Sequence, residues 1–211
     1  MPSETDIEKE TTPKIAAIAY SRGHYPDQIL ERVVRELQAA GIVVAGVLQH
    51  DTARQDRSRC DMSLENISSG DVIGLSEDRG AAARGCRIDE RGLIEVAPMI
   101  DHALATLNPA LLVINKFGKI EAEGRGLREC ILKASLMGIP VLIGVPERNL
   151  DAWLAFAGEF STLIDGTPED INAWLRNVLS DPGIAEQSQV LEEGNRSSEF
   201  EAGRFNQVDL C

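Results

Sequence analysis

The sequence predicts a doubly wound α/β domain, with a mostly parallel sheet and an antiparallel β-hairpin insert. Short apolar runs at 14–20, 42–50, 110–115 and 139–146 have strand length and few polar interruptions, the texture of strands buried on both faces. Stretches with helical spacing of apolar residues separate them, and a chain that alternates strand and helix builds a parallel sheet through right-handed crossovers. The rhythm breaks between residues 51 and 92, where polar and apolar residues alternate around Ser69-Gly70, as in a hairpin.

Each element has its own reason. "KIAAIAY" (14–20) is the first strand, and it opens into the turn "SRGHYPD". Ile29, Val33, Val34 and Leu37 give a helix over 27–40; Pro26 suits its first turn, where no backbone N–H is needed, and Gly41 stops it. "IVVAGVLQH" is the second buried strand. A β-insert over about 52–92 follows, with "GCRIDERG" as a third short strand. Its Arg54, Arg57, Arg59, Arg79, Arg84 and Arg87 are partly balanced by acids, the pattern of a solvated face. Residues 93–107 read as a helix that includes His102, "ALLVIN" as a buried strand, and 124–137 as a helix ended by Gly138. "IPVLIGVP" is the next strand, 148–157 a short helix with Trp153 and Phe156, and "STLI" an edge strand. Thr167-Pro168 followed by Glu169 and Asp170 starts the last helix, 168–179, with a hydroxyl cap, a proline and two acids in its first turn. The domain is expected to span 14–180, with residues 1–13 and the polar, aperiodic 181–211 disordered.

A chain of 211 residues, 43% of them hydrophobic, can bury a core without metals or disulfides. There is no apolar run long enough to span a membrane, and "MPSETDIEKETTPK" has neither a basic n-region nor an apolar h-region, so a cytoplasmic protein is expected. Cys60, Cys86, Cys130 and Cys211 form no CxxC pair and no zinc-like spacing. Cys60 and Cys86 stand beside arginines and near aspartates, in "RCDM" and "GCRID"; they either pack between strands or, with Arg87 and Asp89, form an accessory site. The formal net charge is −13, of which residues 1–13 carry −3 and residues 181–211 carry −5, leaving −5 for 14–180. A mildly acidic core lacks the basic face that nucleic-acid binding requires.

In a doubly wound sheet, ligands bind at the carboxyl ends of the strands. That places "SRGHYPD", "QHD", "NKFGKIEAEGRG" and "PERN" around one crevice. The first loop sits where a phosphate loop would, but such a loop reads GxxxxGK[ST]. Gly23 is the only glycine here, and the lysine and hydroxyl are missing from their places. What remains is a helix N-terminus that suits an anion, with Ser21, Arg22, Gly23, His24 and Tyr25 beside it, or an ordinary turn. The strand at 111–115 stands where a magnesium-binding acid would end it, yet Asn115 and Lys116 occupy that end. A protonated lysine neither ligates magnesium nor acts as a base, so Lys116, Lys119 and Arg125 favour an anion held without metal. "NKFG" also invites comparison with the NKxD motif that reads guanine, but Gly118 replaces the aspartate that accepts the base's N–H groups. Glu121 and Glu123 are expected to pair with Lys119 and Arg125 on a solvated helix start. His24, His50 and His102 form no Ser-His-Asp arrangement.

Taken together, "KIAAIAYSRG", "GVLQHD", "RCDMSLENISSG", "GCRID", "VINKFGKIEAEGRGLRE" and "GIPVLIGVP" resemble a bacterial domain-of-unknown-function family of the DUF2478 type, over roughly residues 14–165. That resemblance implies a neighbourhood of molybdenum-uptake genes, and molybdate, tungstate or a molybdenum-cofactor fragment as ligand. More distantly, the order of elements is similar to small P-loop nucleoside-triphosphatases whose Walker B strand ends in Asp-Glu-Ile-Gly-Lys. Asn115, Lys116 and Phe117 would replace the first three, with Gly118 and Lys119 kept. The resemblance therefore implies a P-loop-like scaffold with degenerate Walker A and B motifs.

Three functions follow as expectations. The first is a binding or regulatory protein that holds a small anion through Ser21, Arg22, Gly23, His24, Tyr25, Asn115, Lys116, Gly118, Lys119 and Arg125, with no metal. The second is a nucleotide hydrolase or transferase using His24, Cys60, Cys86 and Asp89. The third is an interaction protein with a vestigial crevice. No cofactor is named by the sequence.

Overall fold

The computed structural model describes residues 13–52, 61–75 and 90–180. β1 (Ile15–Tyr20) leads into α1 (Asp27–Ala39), then β2 (Val44–Thr52) and a hairpin of β3 (Asp61–Asn66) and β4 (Val72–Gly74). α2 (Glu90–Thr106) precedes β5 (Leu111–Ile114), and α3 (Lys119–Ala122) and α4 (Arg128–Leu136) lead to β6 (Val141–Pro146). α5 (Leu150–Ala157), β7 (Ser161–Ile164) and α6 (Pro168–Leu179) complete it. The seven strands lie in the order β4-β3-β2-β5-β6-β1-β7. The run from β2 to β7 is parallel, and β3 and β4 add antiparallel at one edge. This is the predicted doubly wound sheet with its hairpin insert.

Helices cover both faces. Leu30, Val33 and Val34 of α1, with Ile171, Trp174 and Val178 of α6, bury Ala16, Ile18, Val113 and Leu142 on one side. Val96 and Ile100 of α2, Ile131 of α4 and Trp153 of α5 bury Ala17, Leu112, Ile114 and Ile143 on the other. Alternate residues of β1, β5 and β6 thus feed opposite cores, and each buried aliphatic side chain contributes about 1.5–3 kcal/mol. The Thr167 hydroxyl accepts the Asp170 N–H at 3.2 Å, the cap expected for α6.

Three boundaries differ from the sequence reading. β2 runs on to Thr52 because β3 pairs with it as far as Thr52 and Asp61, beyond the apolar run. Residues 90–92 of "GCRIDERG" already belong to α2, and the rest of that proposed strand lies outside the described residues. The helix expected over 124–137 starts only at Arg128, as α4, because Gly124 and Gly126 take φ of +91° and +65° and separate it from the short α3 that precedes them. The tails at 1–12 and 181–211, and the arginines of the insert, also lie outside the described residues. Among the described residues no helix is long and apolar enough to cross a membrane.

Candidate functional site

The loops after β1, β5 and β6 meet at the carboxyl ends of the parallel strands; residues 53–60, after β2, lie outside the described residues. Asn115 directly follows β5 and Asp27 begins α1. β6 separates β5 from β1, yet Asn115 Nδ2 donates to Asp27 Oδ1 at 2.5 Å. Gly144 of β6 permits this approach. A Cβ there would stand 2.5 Å from the Asn115 carbonyl oxygen and 2.9 Å from Pro26 Cγ. Asn115 is only 3% exposed, and its Oδ1 is buried without a hydrogen-bond partner. Turning the amide over would set that oxygen against the Asp27 carboxylate, so the donor side is fixed. The result is a buried acceptor whose lost hydration costs about 1–3 kcal/mol until a donor meets it.

The loop after β1 is a tight turn. The His24 N–H donates to the Ser21 carbonyl at 3.1 Å, and Ser21 Oγ and His24 Nδ1 are 3.2 Å apart. Gly23 has φ of +92°, and Arg22, Gly23 and His24 are exposed. Tyr25 is 56% exposed and meets the buried Tyr20 ring edge-on, centroids 5.9 Å apart. Burial, and then the charge of Asp27, push the Tyr20 hydroxyl well above the usual phenol range, while Arg148 pulls it down. Tyr20, Asp27 and Arg148 therefore share one electrostatic environment.

The loop after β5 is anchored from below. Phe117 is fully buried, edge-on to Trp153 at 5.1 Å and stacked on Phe156 at 5.8 Å. Asn149 Nδ2 donates to the Phe117 carbonyl at 2.8 Å, tying this loop to the one after β6. Glu121 does not sit on a solvated helix start. It is 3% exposed, and its two oxygens accept the Gly118 N–H at 2.8 Å and the Leu127 N–H at 3.2 Å. A Cβ on Gly126 would collide with Glu121 Oε1, so glycine is required there. Burial raises the Glu121 carboxyl above its usual range, partly offset by these N–H groups and by the charge of Lys116. Glu123 is the solvated acid: it pairs with Arg125 at 2.8 Å and Lys119 at 3.5 Å.

The predicted residues thus divide. Ser21, Arg22, Gly23, His24, Tyr25 and Asn115 gather at the start of α1, and Lys116 and Gly118 lie in the adjoining loop. Lys119 and Arg125 are held outward by Glu123. Arg125 also lines a cavity of about 500 Å³ between α2 and α4, with Leu93, Ala97, Asp101 and Glu129, across the sheet from α1. Cys60, Cys86, Arg87 and Asp89 lie outside the described residues. Cys130 is a packing residue, its thiol pushed up to about 12 by burial. His102 sits on an exposed face of α2. Sequence reasoning missed Asp27, Tyr20, Gly144 and Asn149. The signal for Asp27 was spacing: laid on residues 21–28, the eight-residue phosphate-loop pattern puts Pro26 at its second glycine, Asp27 at its lysine and Gln28 at its hydroxyl.

At the start of α1, Pro26 has no N–H and Asp27 carries a carboxylate, while the residue after β5, Asn115, carries an amide. Among the described residues no group of three or more His, Cys, Asp or Glu could hold a metal ion.

Comparison with known proteins agrees with the architecture. The chain is 34% identical over 169 residues to the molybdenum import ATP-binding protein ModC 2 of Bradyrhizobium diazoefficiens. The match covers 79% of this chain and 18% of that protein, so the chain spans less than a fifth of its relative's length. The crystal structure of THEP1 from the hyperthermophile Aquifex aeolicus shares the fold, with a TM-score of 0.52 and 16% identity, covering 79% of this chain and 97% of that one. The fold is therefore P-loop-nucleoside-triphosphatase-like. The family described as "Protein of unknown function (DUF2478)" matches residues 15–174, and the chain belongs to it.

Proposed function

We propose that the protein is a cytoplasmic binding or regulatory protein that holds an oxyanion or a phosphate-bearing ligand on a nucleoside-triphosphatase scaffold, without magnesium-dependent hydrolysis. The observation that carries this reading is the 2.5 Å hydrogen bond between Asn115 and Asp27. It joins the two places where such a scaffold would grip phosphate and metal, and neither residue is suited to that task. Asp27 places a carboxylate in the first turn of α1, so the anion is assigned to cations of the adjoining loops: the half-buried Lys116, with Arg22 and Arg148. Similarity to a relative named for molybdenum import supports molybdate or tungstate as candidate oxyanions.

The test is calorimetric titration with orthophosphate, molybdate, tungstate, ATP and GTP, each with and without Mg²⁺, on the wild type and Lys116→Ala. Binding that ignores Mg²⁺ and is lost in the variant supports the proposal. Binding that needs Mg²⁺, or steady nucleotide turnover, overturns it in favour of an enzyme; no binding overturns it in favour of an interaction protein.

A further inference from the structure

β7 ends one side of the sheet, and its outer edge is open. It pairs with β1, and among the described residues no backbone hydrogen bond outside that ladder engages Thr162, Leu163 or Ile164. Alternate residues of an edge strand turn their N–H and C=O groups outward, where they template a further strand. Such edges are usually blunted by a charge, a proline or a bulge, and Ser161-Thr162-Leu163-Ile164 carries none of these.

The two faces beside this edge differ in chemistry. Leu163 lies level with Ala17, on the face that α5 covers, and is 47% exposed; Phe160, directly before the strand, is 72% exposed. That side offers apolar contact. Thr162 and Ile164 lie level with Ala16 and Ile18, on the face that α6 covers. There a groove of about 400 Å³ lies between β7 and α6, lined by Thr162, Ile164, Asp165, Asp170, Trp174 and Asn177, with no basic residue in its wall. Asp165 is exposed, and Asp170 Oδ2 accepts the Thr167 hydroxyl, which leaves Oδ1 for another donor. A second copy paired antiparallel through β7 would bring a second acidic groove beside the first, so charge disfavours a homodimer here and favours a cationic partner.

We propose that β7 accepts an extended segment of another protein as an eighth strand, one in which basic and apolar side chains alternate. Main-chain hydrogen bonds to the open edge hold the segment in register. Because side chains of a strand alternate between faces, its apolar residues meet Leu163 while its lysines or arginines enter the groove at Asp165 and Asp170. Binding at β7 requires neither Lys116 nor an anion.

The test is fluorescence anisotropy on the full chain with a labelled peptide, acetyl-Lys-Val-Lys-Val-Lys-Val-Lys-amide. It is expected to bind about tenfold tighter than the same peptide with glutamate for lysine, and than its fully N-methylated form, which keeps the charge but loses the strand hydrogen bonds. Asp165→Lys, at an exposed position, is expected to weaken it about fivefold, and Leu163→Ser about threefold, while Lys116→Ala leaves it unchanged. Bound peptide is expected to slow amide exchange at residues 162–164. Equal binding of the N-methylated form assigns the attraction to charge alone and overturns the proposal, as does no binding or unchanged exchange in β7. A dimer seen by light scattering that protects the same amides without peptide overturns it in favour of a second copy.

Discussion

Asn115, directly after β5, and Asp27 at the start of α1 are joined by a 2.5 Å hydrogen bond that reaches across β6. The bond fixes where the loops after β1 and β5 stand relative to each other. It also sets a carboxylate at the first residue of α1.

Gly144 makes that bond possible, so Gly144→Ala is expected to break it. The added methyl would meet the Asn115 carbonyl oxygen at 2.5 Å and Pro26 Cγ at 2.9 Å, and neither backbone nor proline ring yields easily. A loss of about 1–3 kcal/mol, the usual range for overpacking, is expected from the urea midpoint. Unchanged stability with unchanged ligand affinity would show that the two loops are not held together here.

Glu121 gives stability a defined dependence on pH. Burial raises its folded value above the ordinary 4.5, so the folded state favours the protonated form. Its contribution is fully present below the unfolded value and is lost as pH rises through the folded one. Against Glu121→Gln, which cannot titrate, the wild type is therefore expected to lose stability over that window and to run parallel to the variant above it. Urea unfolding of both proteins across the window checks the sign.

Glu65 has the opposite sign. Burial alone would raise its carboxyl, but Arg35, bonded to both oxygens at 2.7 Å, and His50 at 2.7 Å hold it below the ordinary range. Its contribution is present above the unfolded value and lost as pH falls through the lowered one. Arg35 is half-exposed, so Arg35→Ala is expected to cost only about 1 kcal/mol near neutral pH. The difference should shrink in acid; a constant difference would assign the loss to packing instead.

Much of the fold was legible because its signals are local. Pro26, Gly41 and the Thr167–Asp170 cap each act within a turn of their own position, and β1, β5 and β6 are apolar on both faces. The late start of α4 and the short α3 before it were hidden because the positive φ of Gly124 and Gly126 leaves no mark on the apolar spacing, and because the acid that organises the turn, Glu121, resembles a surface acid in sequence. Of the candidate site, Asn115 and Lys116 stand out in sequence as polar residues directly after an apolar strand, but Asp27 is 88 residues from Asn115, and periodicity carries no information about contacts that distant.

Asn149 is the buried tie between the loops after β5 and β6. Asn149→Ala leaves the Phe117 carbonyl without that donor and is expected to cost about 1–2 kcal/mol. Because the Phe117 ring stays packed on Trp153, the loss should appear as faster amide exchange over residues 115–118 before global unfolding.

The most direct test of the central claim is steady-state release of phosphate from ATP and GTP by the purified full chain, with and without Mg²⁺, alongside Asn115→Ala and Lys116→Ala. The expected result is a background rate that is the same in all three proteins and indifferent to Mg²⁺. Turnover that requires Mg²⁺ and disappears in either variant would contradict the account, because Asn115 and Lys116 would then be serving a chemistry for which an amide and a protonated amine are unsuited.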